Sequence, residues 1–212
     1  MAKQKGIIKL DGTIGGITFY KTTEDGYLAR EKGGVSADKI ANDPAFQRTR
    51  ENGEEFGRAG KAGKLLRNSI RAMLQNASDS RMVGRLTQKM VEVIQEDLTN
   101  PRGQRNVIDG EAELLEGFEF NINGKLGTTL YAPFTGTIDR VAGTLTASIP
   151  SFVPINMLAA PGGATHFKIV SAGTEVDFEN ETFIMDSQAT AVLPWDATAT
   201  AAINLANAVT AN

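Results

Sequence analysis

The sequence contains no cysteine and only one histidine and one tryptophan among its 212 residues. Without cysteine there are no disulfides, no thiolate metal sites and no cysteine nucleophile. One histidine cannot form a two-histidine metal site, and no G-x-S-x-G motif marks a serine nucleophile. We therefore predict a protein that is not an enzyme, with no catalytic residue, no metal site, no cofactor and no small-molecule substrate.

Long apolar runs are also absent. No stretch of about 18 apolar residues occurs, and the charged start MAKQKGII is not followed by the apolar segment of a secretory signal. We expect no transmembrane segment, no signal peptide and no membrane partner, and a location in the cytoplasm or in a particle assembled there. The apolar fraction of 41% and the charged fraction of 22% are ordinary for a chain that folds.

Charge is distributed unevenly along the chain. Residues 1–105 carry 19 Lys and Arg against 13 Asp and Glu, whereas residues 106–212 carry 3 against 12. The resulting charges of +6 and −9 favour head-to-tail contact between copies, and a basic half is also suited to nucleic acid. The alternative is that the charge difference has no function: the helices carry Lys and Arg on their solvent-exposed faces, while the β-rich half carries Thr, Ser and Asn on its exposed faces.

Residues 5–35 have the pattern of a β-meander. The runs GIIKL, GGITFYK and YLARE predict three strands, with Asp-Gly turn signals between them. The segment has few apolar side chains to offset the ordering entropy of its backbone, about 1 to 2 kcal/mol per residue. We therefore predict an arm that docks on another surface, in the same chain or on a second copy. The residues predicted to mediate self-association are Ile7, Ile14, Ile17, Phe19 and Tyr27.

Helical patterns occupy residues 36–105. Asn42 or Asp43 is suited to cap a helix that starts at Pro44, and a second helix is predicted over about residues 81–98. Together they are predicted to form an α-helical hairpin, with the two helices antiparallel. The predicted apolar faces are Phe56, Ala59, Gly63, Leu66, Ile70, Met73 and Ala77 in the first helix, and Met82, Val83, Leu86, Met90, Val93 and Ile94 in the second.

The first helix is rich in glycine. Gly53, Gly57, Gly60 and Gly63 lie within 11 residues, and each costs about 1 kcal/mol relative to alanine inside a helix. We predict either that the helix breaks near Gly53 to Gly57, or that its bare backbone lies against a neighbouring chain or a phosphate surface.

The pattern changes to period two after residue 106. FEFNINGKLGTTLY contains an Asn-Gly hairpin signal at residues 123–124, and GTLTASIP, THFKIVSAG, TEVDFENETF and TATAAINLANAV predict further strands. Short strands separated by Pro, Gly, Asp and Asn are typical of a β-sandwich. The predicted fold class is α+β: an N-terminal β-meander arm over residues 1–35, an α-helical hairpin over 36–105 and a C-terminal antiparallel β-sandwich, Ig-like, over 106–212.

The polar residues of the C-terminal half give weak support for a catalytic or metal-binding site. His166 alternates with Phe167 in a strand pattern and is expected to face away from the core. Asp177, Glu179 and Glu181 are expected on one side of a strand, where solvent-facing charges are a better interpretation than a calcium site, which needs about six to eight oxygen ligands. Glycosidase carboxylates usually lie in aromatic-rich clefts. A glycan-binding or enzymatic module on the sandwich loops is therefore the last of the alternatives.

Basic residues of the helical segment form a second predicted interaction surface. Phosphate contacts would make nucleic-acid binding steeply salt-dependent, but no aromatic platform or known motif accompanies these charges. A solvated helix face is the other interpretation. The residues assigned to nucleic acid in this alternative are Arg48, Arg50, Arg58, Lys61, Lys64, Arg67 and Arg71.

Four stretches carry a resemblance that extends over nearly the whole chain: KGIIKLDGTIGGITFYK, REKGGVSADKIANDPAFQRTRENGEEFGRAGKAGKLLR, NMLAAPGGATHFKIVSAG and VDFENETF. They resemble an uncharacterised family of Bacteroidetes proteins with a glycine-rich N-terminal β-arm, a helical hairpin and a C-terminal β-sandwich. That family has no established activity, so the resemblance assigns no site residue. Its members often continue beyond residue 212 with strand-like sequence, which implies an open sheet edge that a segment of a second copy would fill.

The first interpretation of the sequence is a non-enzymatic structural or assembly protein that self-associates through its N-terminal arm. It predicts a homo-oligomer or a larger assembly, such as a phage-like particle, a virion component or a filament. Nucleic-acid association through the basic helical residues is the second interpretation.

Overall fold

The computed structural model describes residues 2–211 and shows within them an α+β protein with six α-helices and several small antiparallel sheets. The predicted α+β class is confirmed. The chain separates into two compact units, one that ends at Arg50 and one that begins at Glu51. The domain boundaries predicted at residues 35 and 105 remain predictions.

The first unit contains four antiparallel strands: β1 (Ala2–Lys3), β2 (Gly12–Ile14), β3 (Ile17–Thr22) and β4 (Gly26–Glu31). Their order in the sheet is β1-β4-β3-β2. The predicted strands GGITFYK and YLARE correspond to β3 and β4. The predicted Asp-Gly turn lies between them, and Gly26 has a φ of 74°, which glycine adopts at little steric cost.

The predicted strand GIIKL is wrong, because residues 5–11 form a loop. The Gln4 side chain donates to the Leu10 carbonyl at 3.2 Å and to the Leu28 carbonyl at 2.9 Å, and its Oε1 accepts the Leu10 N–H at 2.9 Å. The backbone groups of Leu10 that would pair in a strand are therefore bonded to a side chain. The turn into β3 lies instead at Gly15–Gly16, where the first glycine has a φ of 59°.

Helical segments follow the sheet. α1 (Ala37–Asn42) precedes a 3₁₀ turn over Pro44–Phe46. Asp43 caps this turn, because its carboxylate accepts the Ala45 N–H at 2.9 Å. The cap at Asp43 and the helical start at the following proline are confirmed, and α2 (Gln47–Ser69) continues directly from the 3₁₀ turn.

Three helices, α2, α3 (Arg71–Ala77) and α4 (Met82–Gln95), precede the strands of the second unit. α2 is one helix from Gln47 to Ser69, so the break predicted near Gly53 is wrong. A Cβ atom at Gly63 would lie 3.6 Å from Leu86 Cγ and 3.7 Å from Met90 Cγ, whereas the three preceding glycines of α2 have no such neighbour within 4 Å. Among residues 2–211, no helix is both long and apolar enough to cross a membrane.

The helical segments share one hydrophobic cluster. Three of the predicted apolar positions are wrong, because Phe56 is 62% exposed, Val83 is 48% exposed, and Ala77, at the end of α3, is also exposed. At about 100° per residue, Phe56 lies at the edge of the buried stripe of α2, and Glu55 occupies the inward position of that turn. The buried members of the cluster are Ala59, Ala62, Leu74, Met82, Leu86, Met90, Val93, Ile94 and Val107.

The remainder of the second unit is mainly β-structure. The elements are α5 (Leu126–Thr129), β5 (Thr135–Asp139), β6 (Thr144–Ile149), α6 (Pro154–Met157), β7 (His166–Phe167), β8 (Val170–Asp177), β9 (Thr182–Ala189), β10 (Leu193–Pro194) and β11 (Ile203–Ala208). The strands form three small antiparallel sheets, with the orders β11-β6-β5, β8-β9 and β10-β7. The predicted Ig-like sandwich remains a prediction.

Asn207 joins two of these sheets. The residue is 1% exposed, and its Nδ2 donates to the Leu145 carbonyl of β6 at 3.2 Å and to Ser171 Oγ of β8 at 2.8 Å. Its Oδ1 accepts the Gln188 N–H of β9 at 3.1 Å. These bonds satisfy a buried amide and hold the β8-β9 pair against the sheet that contains β6 and β11.

Two predictions for this half are wrong in detail. The Asn-Gly pair at residues 123–124 does not form a hairpin, because Asn121 Oδ1 accepts the Asn123 N–H at 3.0 Å and α5 follows where a strand was predicted. THFKIVSAG is not one strand, since it divides between β7 and β8.

The segment TEVDFENETF is a hairpin and not the single strand that its pattern predicted. β8 ends at Asp177, whose Oδ1 accepts the Glu179 N–H at 3.0 Å and the Asn180 N–H at 2.9 Å. β9 begins at Thr182, and Glu181 has a φ of 53° in the turn. The three carboxylates predicted on one strand face therefore lie at the end of a strand and in its turn.

Candidate self-association surface

Strand register brings four of the five residues predicted for self-association to one face of the first unit's sheet. Ile14 pairs with Ile17, and Lys21 pairs with Tyr27. Paired residues point to the same side of a sheet, and Ile17, Phe19 and Lys21 share a side because strands alternate with period two. With the remaining partners on that side, the arm face comprises Ala2, Gly12, Ile14, Ile17, Phe19, Lys21, Tyr27, Ala29 and Glu31.

The arm face is apolar and poorly covered. Ile14 is 63% exposed and Ile17 is 47% exposed, while Phe19 and Tyr27 are half-buried. Leu28, on the opposite face, is the one buried residue among residues 2–50. Covering apolar surface yields roughly 25 cal/mol per Å², so a sheet with one buried side chain offers a favourable surface for another apolar surface.

Charges lie at opposite ends of the arm face. The Nζ atom of Lys21 lies 5.5 Å from the centroid of the Tyr27 ring, within cation–π range. Glu31 lies at the other end, where it pairs with Ile17. Within residues 2–211, neither Lys21 nor Glu31 has an opposite charge within 4 Å. The strand rise places the two ends about 13 Å apart.

The opposite face of this sheet is more polar. Thr13 Oγ1 and Thr18 Oγ1 lie 3.2 Å apart and share a hydrogen bond. The guanidinium of Arg30 lies 5.4 Å from the centroid of the Tyr20 ring. One face of the sheet is therefore apolar and the other is polar. Neighbouring residues of one strand lie on opposite faces.

Ile7, the fifth predicted residue, lies in the loop of residues 5–11 and not in the sheet. Its side chain is fully exposed, and Ile8 beside it is 81% exposed. Strand alternation would have pointed Ile8 away from Ile7, and for that reason the sequence pattern did not single it out. Lys9 Nζ, in the same loop, lies 5.9 Å from the ring centroid of Tyr27.

Two of the basic residues predicted for nucleic acid are bonded to backbone carbonyls. Arg50 Nη1 donates to Ile40 at 2.6 Å and to Asp43 at 3.0 Å, and Arg58 Nη1 donates to Gly103 at 2.5 Å. A guanidinium that caps carbonyls has fewer donors left for phosphate.

The other basic residues of that set have different environments. Lys61 and Lys64 are exposed on the side of α2 away from its buried stripe. Arg67 is half-buried, and its Nη1 has no hydrogen-bond partner within the described chain. Arg48 and Arg71 are exposed. The set is therefore not one uniform basic face.

A buried acidic residue that the sequence pattern missed organises the second unit. Glu55 is 3% exposed, and its carboxylate accepts Arg105 Nε at 2.8 Å, Arg105 Nη2 at 2.9 Å and the Gly103 N–H at 2.8 Å. The side-chain hydrogen bonds from Arg105 lower the pKa of Glu55; burial opposes this shift, and the bond from Gly103 adds to it.

Asp97 holds the loop that carries Arg105. The residue is 2% exposed, and its carboxylate accepts the N–H groups of Thr99, Asn100 and Asn106 at 2.8 to 3.0 Å. Burial raises the pKa of Asp97, but these bonds and one from Asn100 Nδ2 outweigh it and lower the pKa to about 2. Within residues 2–211 no three His, Asp or Glu side chains are grouped to hold a metal ion.

The shifted pKa of Asp97 predicts acid sensitivity. A carboxylate with a lowered folded-state pKa contributes stability that is present above its unfolded pKa of about 3.9 and is lost as pH falls towards about 2. Asp97→Asn should lower the melting temperature at pH 7, and its difference from the unsubstituted protein should shrink between pH 4 and pH 2, as circular dichroism would measure. Glu54→Gln, at an exposed position of α2, should melt like the unsubstituted protein throughout, and a pH-independent difference for Asp97→Asn would contradict the assignment.

A small cavity in the second unit has a volume of about 220 Å³ and is lined by apolar side chains with Arg58, Lys61 and Glu181 at its polar part. Pockets for small molecules usually measure about 300 to 1,000 Å³.

His166, the only histidine, is exposed, and its Nδ1 lies 2.9 Å from Thr165 Oγ1.

Comparison of the chain with protein-family models, with curated proteins and with solved structures found no match. The resemblance to a Bacteroidetes family therefore remains a prediction.

Proposed function

We propose that the protein is a non-enzymatic structural or assembly protein that self-associates through its N-terminal sheet. The observation that carries the proposal is the arm face. Ile14 and Ile17 are exposed there, and Leu28 is the one buried side chain of the sheet. A sheet of this kind gains stability when a second apolar surface covers it. We propose that the protein is a component of a phage-like particle or a filament that assembles in the cytoplasm.

The finer architecture supports the same proposal. We propose that α2 and α4 form an antiparallel hairpin, supported by the close approach at Gly63, and that the β8-β9 pair and the β11-β6-β5 sheet are the two layers of a small sandwich, supported by the bonds of Asn207. In this proposal the sheet of the first unit contacts another copy, and the second unit is a rigid domain that the contact joins to that copy.

Nucleic-acid association is the alternative, and the exposed pair Lys61 and Lys64 is the observation in its favour. The bonds of Arg50 and Arg58 to carbonyls reduce the number of cations available for phosphate. We propose self-association first for this reason. A glycan-binding or enzymatic role has less support, because the cavity beside Arg58 is small and a larger cavity beside Asn207, of about 360 Å³, is lined by no acidic or basic side chain.

Electron microscopy in negative stain of the full-length protein, chemically cross-linked at about 100 micromolar before dilution, tests the proposed function. Rings, tubes, fibres or uniform oligomers are expected, and they should persist when salt is raised, because the contact is largely apolar. Uniform particles of single-chain size would contradict the proposal. A complex with single-stranded or duplex DNA whose affinity falls by about 1,000-fold between low and physiological salt would favour the alternative.

A further inference from the structure

We propose that the arm face binds the arm face of a second copy about a two-fold axis, with Lys21 of each copy opposite Glu31 of the other. This inference rests on the proposed self-association and names the surface that the N-terminal sheet recognises. Its occupant is therefore the same sheet of an identical chain.

The edges of the sheet are poorly suited to the contact. The edge strands are β1, with 2 residues, and β2, with 3 residues, and such short edges offer few free backbone groups for strand addition. The face is longer, because its central strands β3 and β4 have 6 residues each. Stacking of faces therefore buries more of this sheet than pairing of edges does.

The charges on the arm face are self-complementary. A two-fold contact places the same patch against itself, and stacked sheets of the aligned class lie about 10 Å apart with strands within about 30° of each other. When the strands of the second copy run in the reverse direction, the positive end at Lys21 meets the negative end at Glu31, and the apolar residues between them meet in the middle. Stacking without reversal would place Lys21 against Lys21. The charges thus select the reversed arrangement.

The size of the face sets the expected strength. Strands of 6 residues give a length of about 20 Å, and four strands spaced by about 4.8 Å give a width of 15 to 20 Å. A patch of that size covers roughly 300 to 400 Å² per copy, less than a standard specific interface, so the contact should be weak, with a dissociation constant of roughly tens of micromolar or higher. A two-fold contact closes on itself, and a larger assembly would need a second surface.

Reciprocal charge exchange tests this geometry on the full-length chain. Lys21→Glu places Glu against Glu31 at both ends of the pair, and Glu31→Lys places Lys against Lys21 at both ends. Each variant alone should weaken self-association about tenfold. A mixture of the two variants has opposite charges at both ends, so it should form heterodimers with the affinity of the unsubstituted protein. When one variant is labelled with ¹⁵N, native mass spectrometry separates heterodimers from homodimers by mass. The reference is a mixture of labelled and unlabelled unsubstituted protein, in which heterodimers form in the statistical proportion.

The outcomes separate this inference from the proposed function. Weakened single variants with an excess of heterodimers in the mixture support the reversed two-fold contact, and recovery in the double variant Lys21→Glu/Glu31→Lys supports it further. If the unsubstituted protein self-associates but mixing restores nothing, the face-to-face contact is wrong and the proposed function stands. If the unsubstituted protein is monomeric at every concentration, the proposed function is wrong as well.

Discussion

Replacing Ile14 with glutamate is expected to convert the self-associated protein into its 22.7 kDa monomer. Ile14 lies on the arm face and is 63% exposed in the single chain, so its side chain is available to be buried in a contact. Burial of an isoleucine side chain contributes about 1.5 to 3 kcal/mol, a two-fold contact contains it twice, and a carboxylate resists burial there. The dissociation constant should rise by at least about 100-fold, which analytical ultracentrifugation over micromolar concentrations would measure.

Thr13→Glu is the matched control for this substitution. Thr13 precedes Ile14 on the same short strand and is also exposed, but its side chain lies on the polar face beside Thr18. The control introduces the same charge and the same loss of strand propensity, and its dissociation constant should stay within about twofold of the unsubstituted value. Equal loss of self-association in both variants would contradict a role for the arm face and indicate a general effect of charge on the sheet.

Arg105→Ala is expected to destabilise the second unit by about 3 to 5 kcal/mol. The substitution removes both side-chain donors to Glu55 and leaves a carboxylate that is 3% exposed with only the Gly103 N–H. A buried charge without its partner is among the most costly defects in a fold. In a unit of this size the loss corresponds to a fall in melting temperature of roughly 10 °C, which calorimetry would measure.

Arg102→Ala provides the comparison on the same loop. Arg102 is exposed; its Nη2 donates to Asn52 Oδ1 at 2.6 Å, and its Nε lies 3.7 Å from a carboxylate oxygen of Glu51. Exposed pairs of this kind contribute about 0 to 1 kcal/mol, so the melting temperature should change by only a few degrees. If Arg105→Ala were as mild as Arg102→Ala, the ion pair with Glu55 would not be the organising contact of this loop.

The arm face was largely predictable because its determinants are local. Period-two alternation in GGITFYK and YLARE, with an Asp-Gly turn between them, fixes the pairing of Lys21 with Tyr27 and hence the common side of Ile17, Phe19 and Tyr27. The loop at Ile7 was not predictable in this way. It depends on the Gln4 side chain, which bonds the backbone of Leu10 and so removes it from strand pairing.

The buried ion pair could not be found from helical periodicity. Periodicity assigned Phe56 to the buried stripe of α2, since phenylalanine is apolar and glutamate is charged. Glu55 takes the inward position because Arg105, 50 residues later in the chain, neutralises it. A local pattern contains no information about such a distant partner. The same limit applies to Asn207, whose burial depends on donors and acceptors in three other strands.

The molar mass of the unsubstituted full-length protein, measured by light scattering from about one to several hundred micromolar, tests most directly whether the arm face is covered by a second copy. The expected mass rises from 22.7 kDa towards twice that value or more as concentration increases, and it should be retained in high salt because the contact is mainly apolar. A mass of 22.7 kDa at every concentration would contradict self-association through the N-terminal sheet.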